Sequence, residues 1–369
     1  MNQPDAIILG GGVIGCALAE ELAGRGKRVV VLDKGIIGAE ASSAAAGILS
    51  AQMDVPEPGA FFDLCQASRR LYPRWVKRIE RASGLSSDYR NSGVLYVAMN
   101  RSEETTMGRR IRWQIRQGLR VERLSPREVM KRNPAVDGRI RRGFFFANEA
   151  QVDNAALMHA LAQACRRAGV ELREETTVEK VESGKAELHT VRTDRGVFQA
   201  PVVVNCLGCW AGADNGFPVR LPVHPVRGQI LVFDAPKRLF PYPVVGEKAY
   251  VIQRKDGRAL VGSTLEAASY RKALTLAGIH SILCGIRHVT SAVNACALLT
   301  TWAGLRPGTP DQLPILGSTR IPGLFIAIGH YRHGILLAPI TAKLMADLIL
   351  SGRCSEPVGA FSLDRFCDL

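Results

Sequence analysis

The sequence predicts an α/β protein: a discontinuous, Rossmann-like nucleotide-binding domain with a second α+β domain built on an antiparallel sheet. Three features predict this fold. A strand, a glycine turn, a helix and a second strand open the chain, and a valine run at 201–205 is typical of a central parallel strand. Between residues 219 and 299 the pattern is mostly strand-like, which suits the sheet of the second domain.

The opening segment, residues 5–35, has the pattern of a dinucleotide-binding unit. Gly10, Gly12 and Gly15 fit the spacing G-x-G-x-x-G, which permits a tight turn, a close backbone approach to a pyrophosphate, and close packing of helix on strand. Asp33 ends the second strand, where a carboxylate can accept ribose hydroxyls. The pattern does not distinguish an NAD site from an FAD site. The alternative to a dinucleotide site is a glycine-rich turn that binds no ligand. We expect no signal peptide, because Asp5 precedes the apolar run and no basic region does.

The composition favours a two-domain protein with reduced thiols. The chain has 369 residues, 47% of them hydrophobic, which is enough for a large core. We expect no membrane-spanning helix, and we predict that residues 335–350, which include Lys343 and Asp347, form an amphipathic helix. Nine scattered cysteines indicate a reducing, cytoplasmic location. Cys206 and Cys209 lack the second pair that a zinc site needs, so we predict structural thiols and no metal.

The formal net charge of +14 is concentrated in residues 109–142, which hold twelve lysines and arginines against three acids. Such a segment is either a surface for nucleic acid or an acidic partner, or a solvated helical face. Its one aromatic residue, Trp113, favours the solvated face. We predict helices here that are broken at Gly118, Pro126 and Pro134.

The remaining patterns predict elements of both domains. Residues 61–83, residues 153–169 and a segment from Gly334 onward have helical periodicity, and residues 92–99 and 323–329 predict strands.

These elements divide the chain into alternating pieces of two domains. Residues 1–85, 147–221 and 303–369 are predicted to form the nucleotide-binding domain, and residues 86–146 and 222–302 the substrate-binding domain. Ligands in such folds lie beyond the carboxyl ends of the strands.

Six segments together resemble the flavin-dependent D-amino-acid oxidase family, and within it the glycine oxidase group of thiamine biosynthesis. They are GGGVIG (10–15), SSAAAGILSAQ (42–52), VHPVRGQIL (223–231), YVIQRKDGRALVGST (250–264), AGLRPGTPDQLPILG (303–317) and GHYRHGILLAP (329–339). Each is modest alone, but all six in this order are specific, and the resemblance covers essentially the whole chain. It implies FAD over NAD. It also implies non-covalent binding, because residues 303–317, where related sarcosine oxidases attach their flavin, contain no cysteine.

The resemblance implies a set of flavin contacts. At the phosphate turn and the adenosine these are Val13, Ile14, Asp33, Lys34 and Val178, the last through its backbone. Along the diphosphate and the flavin they are Ala41, Ser42, Ala46, Gly47 and Ile48. Over the isoalloxazine ring they are His330, Tyr331, Arg332, His333, Gly334, Ile335 and Leu336. A helix that begins near Gly334 would direct its positive end toward the N1–C2=O edge of the ring.

The resemblance also implies three substrate contacts. Arg306 can bind a carboxylate through two parallel N–H bonds, Tyr250 can add an O–H donor, and Arg332 matches a second contact on the carboxylate side. Two positions depart from the family pattern. His333 stands where the group commonly has asparagine; it either tunes the flavin or caps the following helix, and we favour the cap. Leu265 stands where the group often has methionine and is expected to line the pocket.

Together these features imply oxidation of glycine and related small amines, such as sarcosine and small D-amino acids. The product is an imine that gives glyoxylate, oxygen is reduced to hydrogen peroxide, and the pathway served is thiazole synthesis for thiamine. We expect a cytoplasmic homo-oligomer, a tetramer or dimer, without a membrane partner and with nucleic acid disfavoured. Two alternatives stay open: an amine dehydrogenase that uses a quinone or carrier as acceptor, and a basic FAD-binding protein that binds nucleic acid or membrane.

Overall fold

The computed structural model describes residues 3–136, 139–184, 188–213, 215–235, 238–354 and 358–366. Its helices are α1 (Val13–Gly24), α2 (Ala41–Ala44), α3 (Ala60–Ser83), α4 (Arg101–Arg116), α5 (Pro126–Arg132), α6 (Asn154–Arg167), α7 (Leu276–Val289) and α8 (Gly334–Ser351). Its strands are β1 (Ala6–Leu9), β2 (Val29–Leu32), β3 (Ile48–Leu49), β4 (Val94–Ala98), β5 (Glu122–Leu124), β6 (Arg142–Phe146), β7 (Ala150–Gln151), β8 (Glu171–Arg173), β9 (Val178–Ser183), β10 (His189–Thr193), β11 (Gly196–Ala200), β12 (Val202–Asn205), β13 (His224–Asp234), β14 (Val244–Val245), β15 (Tyr250–Gln253), β16 (Arg258–Gly262), β17 (Glu266–Ala267), β18 (Ala297–Gly308), β19 (Ile315–Ser318) and β20 (Leu324–Ile328).

A six-stranded sheet in the order β19-β20-β12-β1-β2-β8 forms the nucleotide-binding half. Its strands are parallel except for β19, which pairs antiparallel with β20. Ile8 faces a core shared with α1, α3, α6 and α8, whereas Ile7 and Leu9 face the small sheet β11-β10-β9. Because both of its faces are covered, the centre of the sheet is apolar, and β1 and β2 contain only buried apolar residues. The predictions of an opening β-α-β unit, a central strand at 201–205 and a strand at 323–329 are confirmed.

A nine-stranded sheet forms the other half, in the order β17-β13-β16-β15-β14-β4-β6-β5, with β18 paired to β13. All neighbours are antiparallel except β14 and β4. Helix α7 packs against this sheet, and its residues Ile282 and Ile286 join the apolar core there. Strand β18 runs continuously across the predicted domain boundary at residue 303, and the domain division itself stays a prediction.

Two elements differ from the sequence-based predictions. The basic segment contains α4 and α5 but also the strand β5, whose three residues pair with β6 although their pattern is too short to identify. The prediction of an amphipathic helix at 335–350 is wrong, because α8 packs against both α1 and α3 and is buried on nearly all sides. Within the described residues, α8 is also the one helix that is long and apolar enough to cross a membrane, but 61% of it is buried inside the protein.

The cysteines of the described residues form no disulfide bonds. The eight that the structure describes have free thiols, and burial raises the pKa of the Cys206 and Cys209 thiols above the usual range. Cys367 lies outside the described residues. No group of histidine, cysteine, aspartate and glutamate side chains in the described ranges is arranged to hold a metal ion.

Candidate active site

The glycine turn leaves the N-terminus of α1 open to a cavity. Gly10 has a φ of +100°, and a Cβ atom on Gly15 would overlap the Gly10 carbonyl oxygen, so the helix packs directly on the turn. Gly12 is the N-cap of α1 and has no side chain to cap the helix, and no acid lies in the first turn. The Val13 N–H donates to the Ser42 hydroxyl at 2.9 Å. The first turn therefore presents a positive helix end without an acidic partner, which suits a bound anion.

Asp33 and Lys34 lie beside this turn, outside the lining of the cavity. The Asp33 carboxylate accepts the Gly11 N–H at 2.7 Å and the Gly35 N–H at 2.8 Å. Burial raises the pKa of Asp33, and these two amide donors oppose the rise. The Lys34 ammonium lies over the ring of Trp210, 2.9 Å from its centroid. Asp33 thus stabilises the turn, and the ribose contacts of both residues stay predictions.

One face of the nine-stranded sheet forms the floor of the cavity. Opposed residues of antiparallel strands point to the same side, and the register pairs Gly228 with Gly304 and Tyr250 with Gly262. Through β13 both pairs share one face with Arg306, which lies two residues beyond Gly304. Because Gly228, Gly262 and Gly304 have no side chains, this face leaves Arg306 and Tyr250 uncovered.

Those glycines are required by the side chains that lie over them. A Cβ atom on Gly228 would overlap the Arg306 guanidinium, and one on Gly262 would come within 2.6 Å of the Tyr250 hydroxyl oxygen. A Cβ atom on Gly304 would come within 2.6 Å of the Ala44 Cβ. Arg306 and Tyr250 therefore lie flat against backbone and point along the floor.

Ser263 connects Arg306 with Tyr250. Arg306 donates from Nη2 to the Ser263 hydroxyl at 2.7 Å and from Nη1 to the Thr264 carbonyl at 3.1 Å. Burial lowers the pKa of Arg306 and raises the pKa of Tyr250, while their mutual interaction favours the charged form of each. No carboxylate among the described residues forms an ion pair with Arg306. The site thus holds a partly buried guanidinium beside a neutral phenol, an arrangement that suits an anionic carboxylate.

Arg332 lies at the rim of the same cavity with 39% of its side chain exposed. Its Nη2 is 3.6 Å from Oδ1 of Asp54, which also lines the cavity. The charge of Arg332 is therefore partly neutralised by Asp54, a residue that no sequence motif marked. Its contact with a substrate carboxylate stays a prediction.

The two histidines of the 330–336 segment are buried and neutral. Nε2 of His330 lies 3.0 Å from the Thr341 hydroxyl, and burial lowers the pKa of His330 to about 3. Burial also lowers the pKa of His333 to about 4. His333 occupies the N-cap position of α8, but its side chain makes no capping bond, so the expectation that it caps the helix is wrong. Its ring lies edge-on to Phe61 at 5.1 Å, and neither ring nitrogen has a hydrogen-bond partner in the described part of the chain.

The cavity, of about 460 Å³, brings most of the predicted site residues together. Its lining includes Gly12, Val13, Ile14, Ala41, Ser42, Ala46, Gly47, Ile48, Tyr250, Leu265, Arg306, His330, Tyr331, Arg332, Gly334 and Ile335. Predicted residues outside the lining are Gly10, Gly15, Asp33, Lys34, Val178, His333 and Leu336. Leu265 lies in the wall, where the sequence placed it.

Arg254, which the motif analysis missed, fixes the loop on one side of the cavity. It is 5% exposed and donates to the Val152 carbonyl at 2.7 Å, the Ala46 carbonyl at 2.8 Å and the Asn154 amide oxygen at 2.9 Å. It follows Tyr250 by four residues, so it ties the strand that holds Tyr250 to the loop that holds Ala46. A charged residue directly after a buried strand was the one available signal.

A second set of missed residues closes the opposite wall. Tyr96 on β4 and Met107 and Arg110 on α4 line the cavity, and Arg110 donates to the Met53 carbonyl. Of these residues only Arg110 belongs to the basic segment, and no sequence motif marks any of the three. Only the packing of α4 against the sheet brings them to the site.

A buried carboxyl group, Glu149, shapes the segment that leads to Asp54. It is fully buried and accepts the Ala51 N–H at 3.0 Å and the Gln52 N–H at 2.5 Å. Burial raises the pKa of Glu149 to about 8, since the amide donors only partly oppose it. Glu149 therefore holds the backbone at Ala51 and Gln52, two to three residues before Asp54.

Comparison with known protein families decides the assignment. Residues 5–348 match the family described as FAD dependent oxidoreductase. The chain belongs to this family. FAD is accordingly its cofactor.

The relatives of this FAD-dependent oxidoreductase fall into two groups by length. It is 33% identical to a glycine oxidase of Geobacillus kaustophilus over 99% of this chain and 97% of that one. It is 37% identical to the bifunctional protein ThiO/ThiG of Synechocystis over 98% of its own length but 54% of that protein, so it spans about half of the bifunctional relatives. The crystal structure of the Geobacillus kaustophilus glycine oxidase superposes with a TM-score of 0.94 at 32% identity, covering 98% of this chain and 99% of that one.

The residues of the cavity fit FAD. The N-termini of both α1 and α8 line it, neither N-cap residue caps its helix with its own side chain, and neither helix has an acid in its first turn. Two positive helix ends at one cavity suit a ligand with a diphosphate and an electron-rich ring. Gly47, which lines the cavity, has a φ of +80°, and a Cβ atom there would overlap the Val152 carbonyl, so this loop packs directly against the backbone at Val152.

Proposed function

We propose that this protein oxidises glycine and related small amines, such as sarcosine and small D-amino acids. With glycine, the imine product hydrolyses to glyoxylate and ammonia, and oxygen is reduced to hydrogen peroxide. The observation that supports this most directly is the pair Arg306 and Tyr250, which lies on a glycine floor and has no carboxylate partner in the described residues. A site of this kind accepts the carboxylate of a small amino acid.

Arg306 and Tyr250 have distinct tasks in the proposed reaction. Arg306 binds the substrate carboxylate, and Ser263 holds the guanidinium so that little rotamer freedom is lost on binding. Tyr250 donates its O–H to the same carboxylate, because burial keeps the phenol protonated. Arg332 adds positive charge at the rim, reduced by Asp54. Catalysis on this basis is mainly positioning of the substrate Cα, without a side-chain base.

The predicted cofactor contacts also have distinct tasks. FAD, when bound, supplies the two-electron acceptor that the amine oxidation needs. The first turn of α1 and Ser42 would hold the diphosphate, Asp33, Lys34 and Val178 the adenosine, and the 330–336 segment the ring. We propose that FAD is held without a covalent link, because residues 303–317 contain no cysteine.

The place of the product in metabolism is part of the same proposal. The family resemblance implies that the imine supplies thiazole synthesis for thiamine. The match to proteins named ThiO/ThiG supports this, although the chain spans only about half of them. The cytoplasmic location and the homo-oligomer stay predictions.

An anaerobic flavin-reduction screen tests the proposal. Holoenzyme is mixed with glycine, sarcosine and several D-amino acids, and bleaching of the flavin absorbance is followed. Glycine or sarcosine is expected to reduce the flavin of the wild-type enzyme. In the Arg306→Lys variant, the flavin is expected to be reduced only at much higher substrate concentration. Colourless protein that takes up no FAD, or flavin that none of these amines bleaches, would end the proposal.

A dehydrogenase that uses another acceptor is the second candidate. A structure named L-proline dehydrogenase superposes with a TM-score of 0.89 at 25% identity and covers all of this chain, which keeps this reaction class in view. Re-admitting air to the reduced enzyme separates the two. Rapid reoxidation with stoichiometric hydrogen peroxide supports the oxidase, and slow reoxidation that a quinone accelerates supports the dehydrogenase.

A further inference from the structure

A second concave surface lies on α4, opposite the active-site cavity. It has a volume of about 580 Å³, and we call it the arginine groove. Its lining is Arg101, Glu104, Thr105, Gly108, Arg112, Arg123, Arg141, Arg142 and Phe144. None of these residues lines the active-site cavity, so the groove is a separate feature.

Helical spacing explains why α4 serves both surfaces. Positions three and four apart share one helix face. The face turned to the arginine groove holds Arg101, Glu104, Thr105, Gly108 and Arg112. The face turned to the active-site cavity holds Glu103, Thr106, Met107 and Arg110. A Cβ atom on Gly108 would meet no neighbour within 4 Å, so the middle of the groove is open.

The opposite wall comes from the end of the nine-stranded sheet. Arg123 on β5 is registered with Phe144 on β6, and Arg142 lies two residues before Phe144 on the same face. Strand β5 is the last in the sheet order, so this wall is an edge. Phe144 is 2% exposed, so the accessible part of the groove is guanidinium-rich and lacks an exposed aromatic ring.

The charges of the groove are not balanced. Glu104 accepts Nε of Arg141 at 2.5 Å and Nε of Arg142 at 3.1 Å, which accounts for the only acid in the lining. Three exposed arginines from two elements remain without an ion-pair partner in the described residues: Arg101, Arg112 and Arg123. Several guanidinium groups that converge without carboxylates repel one another unless an anion lies between them.

We propose that the arginine groove binds an anion with two or more phosphate groups, independently of amine oxidation. Guanidinium groups match phosphate oxygens in pairs, and a groove of this size holds more than one phosphate. With no exposed aromatic ring to stack a base, the contacts go to phosphates. This phosphate chemistry is shared by free pyrophosphate or nucleotides and by the nucleic-acid backbone.

The test uses FAD-saturated holoenzyme, so that the α1 site is occupied, and titrates pyrophosphate by calorimetry. Saturable binding that weakens with salt is expected. The double variant Arg101→Gln/Arg112→Gln should weaken it by roughly tenfold or more, because charged hydrogen-bond donors are lost. The matched control, Arg109→Gln/Arg116→Gln, removes the same charge from exposed positions of the same helix outside the groove, and should change the affinity by less than about twofold.

Two further titrations, with ATP and with a single-stranded oligonucleotide, distinguish the sources. ATP binding that depends on Arg101 and Arg112 assigns the groove to free phosphates. Tighter oligonucleotide binding with the same dependence assigns it to a nucleic-acid backbone. Absence of saturable binding of all three probes overturns the proposal, as does an equal loss in the control variant, which would mark general charge attraction. Unchanged flavin absorbance and melting temperature in both variants exclude unfolding as the cause.

Discussion

Replacement of Arg254 by methionine tests whether one buried guanidinium holds the wall of the cofactor cavity. The variant removes three hydrogen bonds, so the carbonyl oxygens of Val152 and Ala46 and the amide oxygen of Asn154 lose their donor. Hydrogen bonds from a charged donor contribute about 1.5–3 kcal/mol each. The loss is smaller than their sum, because burial already disfavours the Arg254 charge, as its lowered pKa shows. Breaking such a buried charged cluster costs about 3–5 kcal/mol, and we expect that range for the free energy of unfolding.

Two measurements check this prediction. Urea denaturation of the holoenzyme gives the change in stability, and fluorescence titration of apoprotein with FAD gives its Kd, which rises about tenfold for each ~1.4 kcal/mol lost in the loop at 46–48. The KM for glycine should change less than the Kd for FAD, because Arg254 holds the Ala46 loop, whereas Arg306 is held by Ser263 and Thr264. Arg258→Met is the matched control: its side chain is 45% exposed, with Asp153 at 3.8 Å, and it should cost less than about 1 kcal/mol. An Arg254→Met protein that keeps both its urea midpoint and its FAD affinity would refute the reasoning.

Three other changes have definite expected outcomes. Arg306→Ala should raise the KM for glycine by a factor equivalent to ~2–4 kcal/mol, measured by steady-state kinetics, because a charged hydrogen-bond donor to the carboxylate is lost. Gly47→Ala should yield protein with little bound FAD, measured by absorbance, because the new Cβ atom would overlap the Val152 carbonyl at a φ of +80°. Glu149→Gln should flatten the fall of stability between about pH 7 and about pH 8, measured by urea denaturation across that range.

The sign for Glu149 follows from its raised pKa. Its folded pKa is about 8 against a usual value of 4.5, so between these values the folded state binds one more proton than the unfolded state. Stability therefore falls as pH rises through this window, by at most ~1.4 kcal/mol per pH unit. Burial lowers the pKa values of His330 and His333, so both side chains are neutral in the folded state above about pH 7. In the unfolded state both are also mostly neutral in this range. A wild-type stability that is flat or rises over this range contradicts the assignment to Glu149.

The other two changes have their own controls. Arg306→Lys keeps the charge but not the fork of donors and should lie between wild type and Arg306→Ala in KM. Glycine kinetics close to wild type in the alanine variant would remove Arg306 from the site. For Gly47→Ala, Gly26→Ala is a suitable control, because Gly26 has the same φ of +80° but nothing within 4 Å of a Cβ atom. Equal loss of FAD in both would mean that strain, and not the approach of Val152, decides the outcome.

Local sequence patterns were sufficient for the parts of the fold that depend on few neighbours. Turn geometry determines the glycines at 10–15, burial on both faces determines the valines at 202–204, and capping determines the helix at 153–169. These three elements were therefore predicted correctly. The motif at 303–317 likewise placed Arg306 at the cavity. Its connection to Tyr250 through Ser263 depends on the register between strands, which no local pattern contains.

The failures have a common physical cause in tertiary packing. Lys343 and Asp347 suggested one polar face on α8, but they pair with each other, and Asp347 also pairs with Arg25, which directly follows α1. Both charges are therefore accommodated where α8 packs against α1. Arg254, Glu149 and Arg110 act on backbone atoms that are distant in sequence. Such contacts leave no periodic signal, so the sequence could not reveal them.

The order of strands in the parallel sheet has a consequence for how the molecule is made. Strand β1 pairs with β12, and β12 pairs with β20, so the start of the chain joins its final third. During synthesis β1 can pair with β2 early and with β12 once residue 205 has been made, but β20 begins only at residue 324. Pairings between such distant segments are slow to form and leave sheet edges unpaired meanwhile. The nascent chain is therefore expected to bind its yellow flavin only after β20 has been made. A fragment that ends before β20 should aggregate and bind no flavin.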